Sequence, residues 1–486
     1  MSVMMQSSNQ CCDALQSAVG IFLESCNTPE TVRELLAHMG LSISTTATNE
    51  MINSLSKESH TEIQALGQTL LASYAYDNLD IDLKHAIPTI EKDPTTLIHL
   101  TSATMLPMDD TVVLEDLNCS EALWKQSRLN IKAHHGDLAP LPDINNLLDI
   151  HPEMDHPSGL LRRDRFNAWV FLRDLVKHGP GYFRAFSKQL DAPEVIEQLP
   201  IKKTRQVPLK MMDINPATPA ANGDVQDGIF GQTVVGDPKD TATYVKDISN
   251  HVVLEHGDLG VGQHIESLQE SRSAEATPWH HQQFIVYVMG LFHLKMACAD
   301  AIWRIFIKPS EARYDPNCLI KHVSELRPKE TGKITSKPGF RRMHEVIQHV
   351  GIVLRLDCWR DKAVKTCSAA GVQSLEDFAA MKPTWIQLEA MANQMCIGHV
   401  AQADFSQRNM PQRVRDAEHE NMMIRQQYFL LYEEMSHALD CGDIGHVEDC
   451  FLPWAFIFRG CGKHKYAKHM VKHLHNVHFV YPDRLK

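Results

Sequence analysis

The segment QFIVYVMGLFHLKMACADAIWRIFI, residues 283–307, changes its hydrophobic pattern half-way along. Phe284 to Val288 is a short apolar run rich in β-branched and aromatic residues, which reads as a buried strand, whereas from Leu291 the pattern is compatible with a helix. Just upstream, TYVKDISNHVVLEHGDLGVG sets another β-rich run, His251 to Leu254, ahead of a helix expected over Gln263 to Arg272. Strand, helix, strand and helix in succession predict an α/β core. An earlier stretch from Thr69 to Asp82 turns from helix-like to strand-like, and LIHLTSATMLPM after it supplies a second strand or a pair of short ones. Beyond residue 301 nearly everything reads as helix, so the chain is expected to be predominantly helical overall.

The organisation expected from this pass is a helical lead-in over 1–70, the first strands of the core over 71–110, an insertion with mobile loops over 111–240, the second part of the core over 241–300, and a helical region with a basic end over 301–486. Within the insertion, a helix is expected around Ala168 to Val176 and a weak loop from Asp213 to Lys239. No fixed-period repeat is present, which removes solenoids and propellers. With 43% apolar and 22% charged residues, the composition excludes a disordered, collagen-like or coiled-coil chain. No apolar run approaches the roughly 20 residues that cross a bilayer, and the amino terminus lacks a signal-peptide layout, so an intracellular protein without a membrane partner is expected. Twelve cysteines with no C-x-x-C pair point to reduced, mostly buried thiols.

Walker A, G-x-S-x-G, H-E-x-x-H, protein-kinase and Rossmann signatures are all missing. What remains is acidic. Asp77, Asp80 and Asp82 end one expected strand, and Asp258, flanked by glycines, ends another. Two carboxylates brought together from strand ends are what Mg²⁺ or Mn²⁺ requires, because hard cations take oxygen ligands and leave room for phosphate. Turn-forming or solvated acids are the alternative reading of the same residues. His293 follows in LFHLKM, where an imidazole would orient a carboxylate or contact phosphate, or would simply sit in the core.

The net charge of −12 excludes a generally basic protein, yet binding to DNA needs only a local cationic surface. Arg459 to Lys486 is the most cationic stretch, with Lys463 at its start and Lys465, Lys468, His469 and Lys472 spaced to share one helix face that would bind phosphate. Cys461, His464, His469 and His473 in the same stretch form a possible N/S ligand set for zinc. Glu418, Glu420, Glu433, Glu434 and Glu448 make a ladder of later acids, expected mostly on a solvated helix face. A mostly helical, non-catalytic interaction protein is the rival to any metal-dependent reading.

The motifs AYDNLDI at 75–81, MMDINPAT at 211–218, VVLEHGDLG at 252–260, GLFHLKMACADAIWR at 290–304 and GKHKYAKH at 462–469 resemble a large multicopy family of mushroom-forming fungi that carries a domain of unknown function. More distantly, an acid in GDL followed by a phenylalanine–histidine helix is similar to the second catalytic acid and the histidine-bearing helix of Mutator-like and hAT-like transposases. That resemblance implies a ribonuclease H-like mixed sheet interrupted by large helical insertions. It further implies Asp77 and Asp258 as metal-holding catalytic acids with His293 alongside, Mg²⁺ or Mn²⁺ as cofactor, DNA as partner and the nucleus as location. LFHLKM lacks the cysteine that precedes the histidine in those enzymes, and no third acid can be assigned. The fungal relatives continue into a segment with an E-H-x-N motif, so the resemblance also implies a third carboxylate outside this chain and an inactive or truncated copy.

Overall fold

Alternation along the first strand fixes the sheet: Ala72, Tyr74 and Tyr76 are buried on one face, and their cross-strand partners include Met105 and Ala103, also buried. In the computed structural model of the protein, which describes residues 13–82, 97–240, 244–401 and 410–486, this strand is β1 (Ala72–Asp82). It pairs antiparallel along its whole length with β2 (Leu97–Pro107), from Ala72 opposite Pro107 to Asp82 opposite Leu97. A two-residue strand β3 (Val207–Pro208) joins the outer side of β2 antiparallel, and its proline sits where an edge tolerates a missing N–H. Strands β4 (Val235–Gly236) and β5 (Lys246–Asp247) form a separate parallel pair. β6 (Val253–Gly257) lies beside β1 in parallel, and β7 (Ile285–Met289) closes the order β3-β2-β1-β6-β7. The fold is α/β, 59% helical with a mixed five-stranded sheet.

The chain divides into two units, residues 1–138 with 204–288 and residues 139–203 with 289–484. Residues 111–240, read from sequence as a single insertion, are therefore shared between them. The first unit holds the sheet. Its core joins Ile63 of helix Thr45–Gly67 to Tyr74, Met105, Val253, Phe284 and Ile285 of the strands and to Val225, Ile229 and Phe230 of helix Pro219–Thr233. Phe230 meets Tyr74 and Phe284 edge-on, and Trp279 stacks on Phe284 at 5.6 Å. The loop expected from Asp213 to Lys239 is thus corrected: most of it is this core helix. Asn222, Gly223, Gly228 and Gly231 are weak helix formers and hid it, although Thr218 caps the Ala221 N–H and Pro219 opens the first turn. Two of the glycines serve close packing: a Cβ on Gly228 would lie 2.7 Å from Met212 Sδ and one on Gly223 would lie 3.2 Å from Leu268.

The second unit is helical. Phe166, Phe171 and Leu175 of Arg162–His178 pack with Trp359 of Gly339–Thr366 and with Leu388, Met391 and Met395 of Trp385–His399. Trp359 Nε1 donates to the Phe171 carbonyl at 2.9 Å inside this cluster. Charge is buried here as well. Arg355, fully buried on Gly339–Thr366, donates to Asp174 and Glu433 at 2.6 Å each, and Arg173 donates to the same two acids, closing a four-membered ionic ring. Among the described residues no helix is long and apolar enough to cross a membrane. Cys11 and Cys12 lie outside the described residues; the other ten cysteines are free thiols.

Candidate functional site

Asp77 and Asp258 come from neighbouring strands of the first unit. The β1–β6 register pairs Tyr74 with Glu255 and Ala75 with His256. The ladder stops there, two residues short of Asp77 on β1 and of Asp258, which follows β6 in extended backbone at φ −71° and ψ 178°. Asp77 is exposed, and its Oδ1 accepts the Asn78 N–H at 2.8 Å. Asp258 is half-buried and caps helix Leu259–Ser271, Oδ1 accepting the Val261 N–H at 2.9 Å. The Tyr287 hydroxyl donates to the Asp258 carbonyl at 2.7 Å and so holds the turn in place. Gly262 makes room for that ring, since a Cβ there would lie 2.4 Å from it. Asp80 points to a different partner: it pairs across the strands with His99 at 2.7 Å and accepts from Asn78.

The opposite face of the same two strands carries a polar cluster that sequence reasoning missed. Glu255 is completely buried, and burial pushes its carboxyl up to about 8, with a hydrogen bond from Gln226 pulling the other way. Its Oε1 and the Gln226 Oε1 have no partner, and a proton on the carboxyl is the donor these two acceptors lack. Tyr76 donates to Asn222 Oδ1 at 2.7 Å beside it, with its own hydroxyl driven up first by burial and then by the Glu255 charge. The signal was a lone acid inside the apolar run VVLEHG, next to the more conspicuous Asp258.

His293 belongs to the second unit, on the first turn of helix Leu291–Phe306, with its ring edge-on to Phe292. The Lys463 ammonium pairs with Asp300 at 2.8 Å and lies 5.3 Å from the Tyr466 ring centroid. Lys465 and Lys468 are exposed on helix His464–His475 and Lys472 is half-buried. His469, expected on the same face, is turned inward and buried. Cys461, His464, His469 and His473 do not converge as a ligand set among the described residues. The Cys461 thiol lies against the Phe458 carbonyl, and the His473 ring packs on Phe451.

The glutamate ladder is a further correction. Glu418 is exposed as expected, but Glu420, Glu433, Glu434 and Glu448 are all buried. Each has a cationic or imidazole partner: Arg415 for Glu420, Arg173 and Arg355 for Glu433, Arg163 for Glu434, and His151 with His478 for Glu448. For Glu433, Glu434 and Glu448 the partners lie far away in sequence, which made these acids look solvated, whereas Arg415 is close to Glu420 along the chain. The group His151, Glu448 and His478 is also where metal-type ligand atoms converge among the described residues, within 4.8 Å of one another.

A family described as a family of unknown function, DUF6589, matches residues 142–486. The chain belongs to the DUF6589 family. The matched DUF6589 segment takes in Asp258, His293, the four lysines and the His151–Glu448–His478 group, and begins after Asp77. No curated protein and no solved structure matches the chain.

Proposed function

We propose that this DUF6589 protein is a transposase-derived, divalent-metal-dependent protein that processes nucleic acid on a ribonuclease H-like core. The observation that carries the reading is the strand order β3-β2-β1-β6-β7, with β1 antiparallel to β2 and parallel to β6. This is the order and polarity expected of a ribonuclease H-like sheet, and continuing the β1–β6 register by two residues would bring the first-strand acid, Asp77, beside the acid after the parallel neighbour, Asp258. The donor set suits a hard cation: two carboxylates, each using Oδ1 for a local backbone N–H, and one of them exposed. Mg²⁺ or Mn²⁺ held there would supply charge stabilisation to a phosphodiester in line with its attacking oxygen. The chain's own part is positional. The Tyr287 bond and the helix cap hold Asp258, and the antiparallel ladder holds Asp77. Lys465 and Lys468 would offer exposed cationic contacts for a DNA backbone, and Lys463 is paired with Asp300.

A non-catalytic interaction protein is the second reading, favoured by one observation: the cap on Val261 is by itself a sufficient reason for an acid at 258. Asp258→Asn separates the two, because asparagine caps as well as aspartate but cannot supply the same charge to a cation. The test is cleavage of labelled DNA in Mg²⁺ or Mn²⁺ by the wild type beside Asp77→Asn, Asp258→Asn and His293→Ala. Metal-dependent cleavage lost in both aspartate variants, with their melting unchanged, supports the proposal. Cleavage that survives in both, or none in the wild type with either ion, contradicts it.

A further inference from the structure

We propose that His151, Glu448 and His478 form a binding site for one divalent transition-metal ion of the Zn²⁺ class, in the second unit and separate from the Asp77–Asp258 pair. The argument begins with convergence. His151 Nε2 and His478 Nε2 each lie 2.8 Å from the same oxygen, Glu448 Oε2. Their rings stand edge to face, 5.7 Å apart at an interplanar angle of 88°. Ligand atoms around a tetrahedral ion at 2.0–2.2 Å sit roughly 3.3–3.5 Å apart, so an outward shift of about half an ångström would open this triangle around an ion. Two imidazole nitrogens and one carboxylate oxygen form a borderline donor set, suited to Zn²⁺, Co²⁺ or Fe²⁺ rather than to Mg²⁺ or Ca²⁺.

The three residues come from separate elements, and each is held from behind. His151 lies on the loop after the short helix Ile144–Leu148. The buried guanidinium of Arg162 donates to the carbonyls of His151 at 3.1 Å and Pro152 at 3.4 Å, and also to Asp449 Oδ2 at 2.8 Å. One side chain therefore ties the His151 loop to the residue next to Glu448 on helix Ile444–Gly460. Arg163 donates to the Asp449 carbonyl at 3.0 Å and strengthens the same tie. His478 sits in a π-helical turn, Asn476–Val480, that follows helix His464–His475. Such turns re-aim side chains and are concentrated at functional sites. Just before it, the His475 ring donates from Nε2 to the Pro140 carbonyl at 3.0 Å and anchors the segment. Supports of this kind orient metal ligands.

Burial is graded across the group: the Glu448 side chain is 6% exposed, His151 10% and His478 23%. The carboxylate is the most buried of the three and His478 the most exposed, so an ion and a water as fourth ligand would enter from the His478 side. Three protein ligands with an open position resemble a catalytic rather than a structural zinc site. Nearby charges are the Arg162–Asp449 pair and, around His151 and Glu448, the Glu197 carboxylate and the His473 ring.

The test uses the full chain, stripped of metal by a chelator and titrated with Zn²⁺ by calorimetry and with Co²⁺ by visible absorption. The expected result is one ion per chain, with a Co²⁺ spectrum free of sulfur charge-transfer bands. His478→Ala, at the exposed edge and so least able to harm folding, should weaken binding by roughly 100-fold or more with an unchanged circular-dichroism melt. Arg162→Lys, which keeps the charge but loses the fork, should weaken it by roughly 10- to 100-fold. No stoichiometric uptake, uptake that His478→Ala leaves untouched, or a thiolate spectrum placing the ion on cysteines would each overturn the proposal.

Discussion

Replacing Glu255 with glutamine should change how stability depends on pH. The carboxyl is fully buried and pushed up to about 8, against an ordinary value of 4.5 in the unfolded chain. Between these values the folded state keeps a proton that the unfolded state releases, so stability falls as pH rises, by about 1.4 kcal/mol per unit. The stabilising contribution is therefore fully present below pH 4.5 and lost as pH climbs through 8. Between pH 5 and pH 8 this amounts to roughly 3 kcal/mol. Glutamine has the shape of the protonated acid and can exchange two hydrogen bonds with Gln226, so Glu255→Gln should remove the slope with little cost to the fold. The assay is urea unfolding of both proteins at several pH values, taking the difference at each so that the other titrating groups cancel. Wild type should be the closer to the variant, or the more stable, at pH 5, and should fall behind by roughly 3 kcal/mol towards pH 8. Two curves that stay parallel from pH 5 to pH 8 would refute the reasoning, since Glu255 would then carry no proton of its own in the folded state.

Arg355→Met should destabilise the second unit by about 3–5 kcal/mol, because Asp174 and Glu433 would be left buried beside Arg173 alone; denaturant titration measures the loss. Thr218→Ala should cost about 1 kcal/mol by uncapping helix Pro219–Thr233, and hydrogen exchange should show the loss as faster exchange at that helix's first turn.

The sheet was legible because its strands carry local signatures: the β-branched run at Phe284–Val288, the alternation around Tyr74 and the glycine-flanked end at Asp258 all report their structure within a few residues. Strand order was not legible, since the pairing of β1 with β6 joins segments far apart in sequence. Helix Pro219–Thr233 was missed because Gly223, Gly228 and Asn222 serve close packing and a buried hydrogen bond rather than helix propensity. The glutamates were misplaced for a related reason. Glu433 and Glu434 look solvated until Arg355, Arg173 and Arg163 are brought to them by tertiary packing. His151 and His478 likewise carry no motif, because a ligand group gathered from three distant segments leaves no spacing to read. Asp258 was legible as a strand-end acid, whereas Asp77, expected at a strand end, lies in the middle of β1, because pairing with β2 carries the strand on to Asp82.

The central claim is that Asp77 and Asp258 hold one hard cation, and calorimetric titration with Mn²⁺ and Mg²⁺ tests it most directly. Wild type, Asp77→Asn and Asp258→Asn would be compared, with thermal shift run alongside because an ion bound only by the folded protein must raise its stability. Saturable binding in the wild type that both variants lose, while their metal-free melting stays the same, is the predicted result. Binding that either variant retains at full strength, or no Mn²⁺ or Mg²⁺ binding in the wild type, would contradict the account.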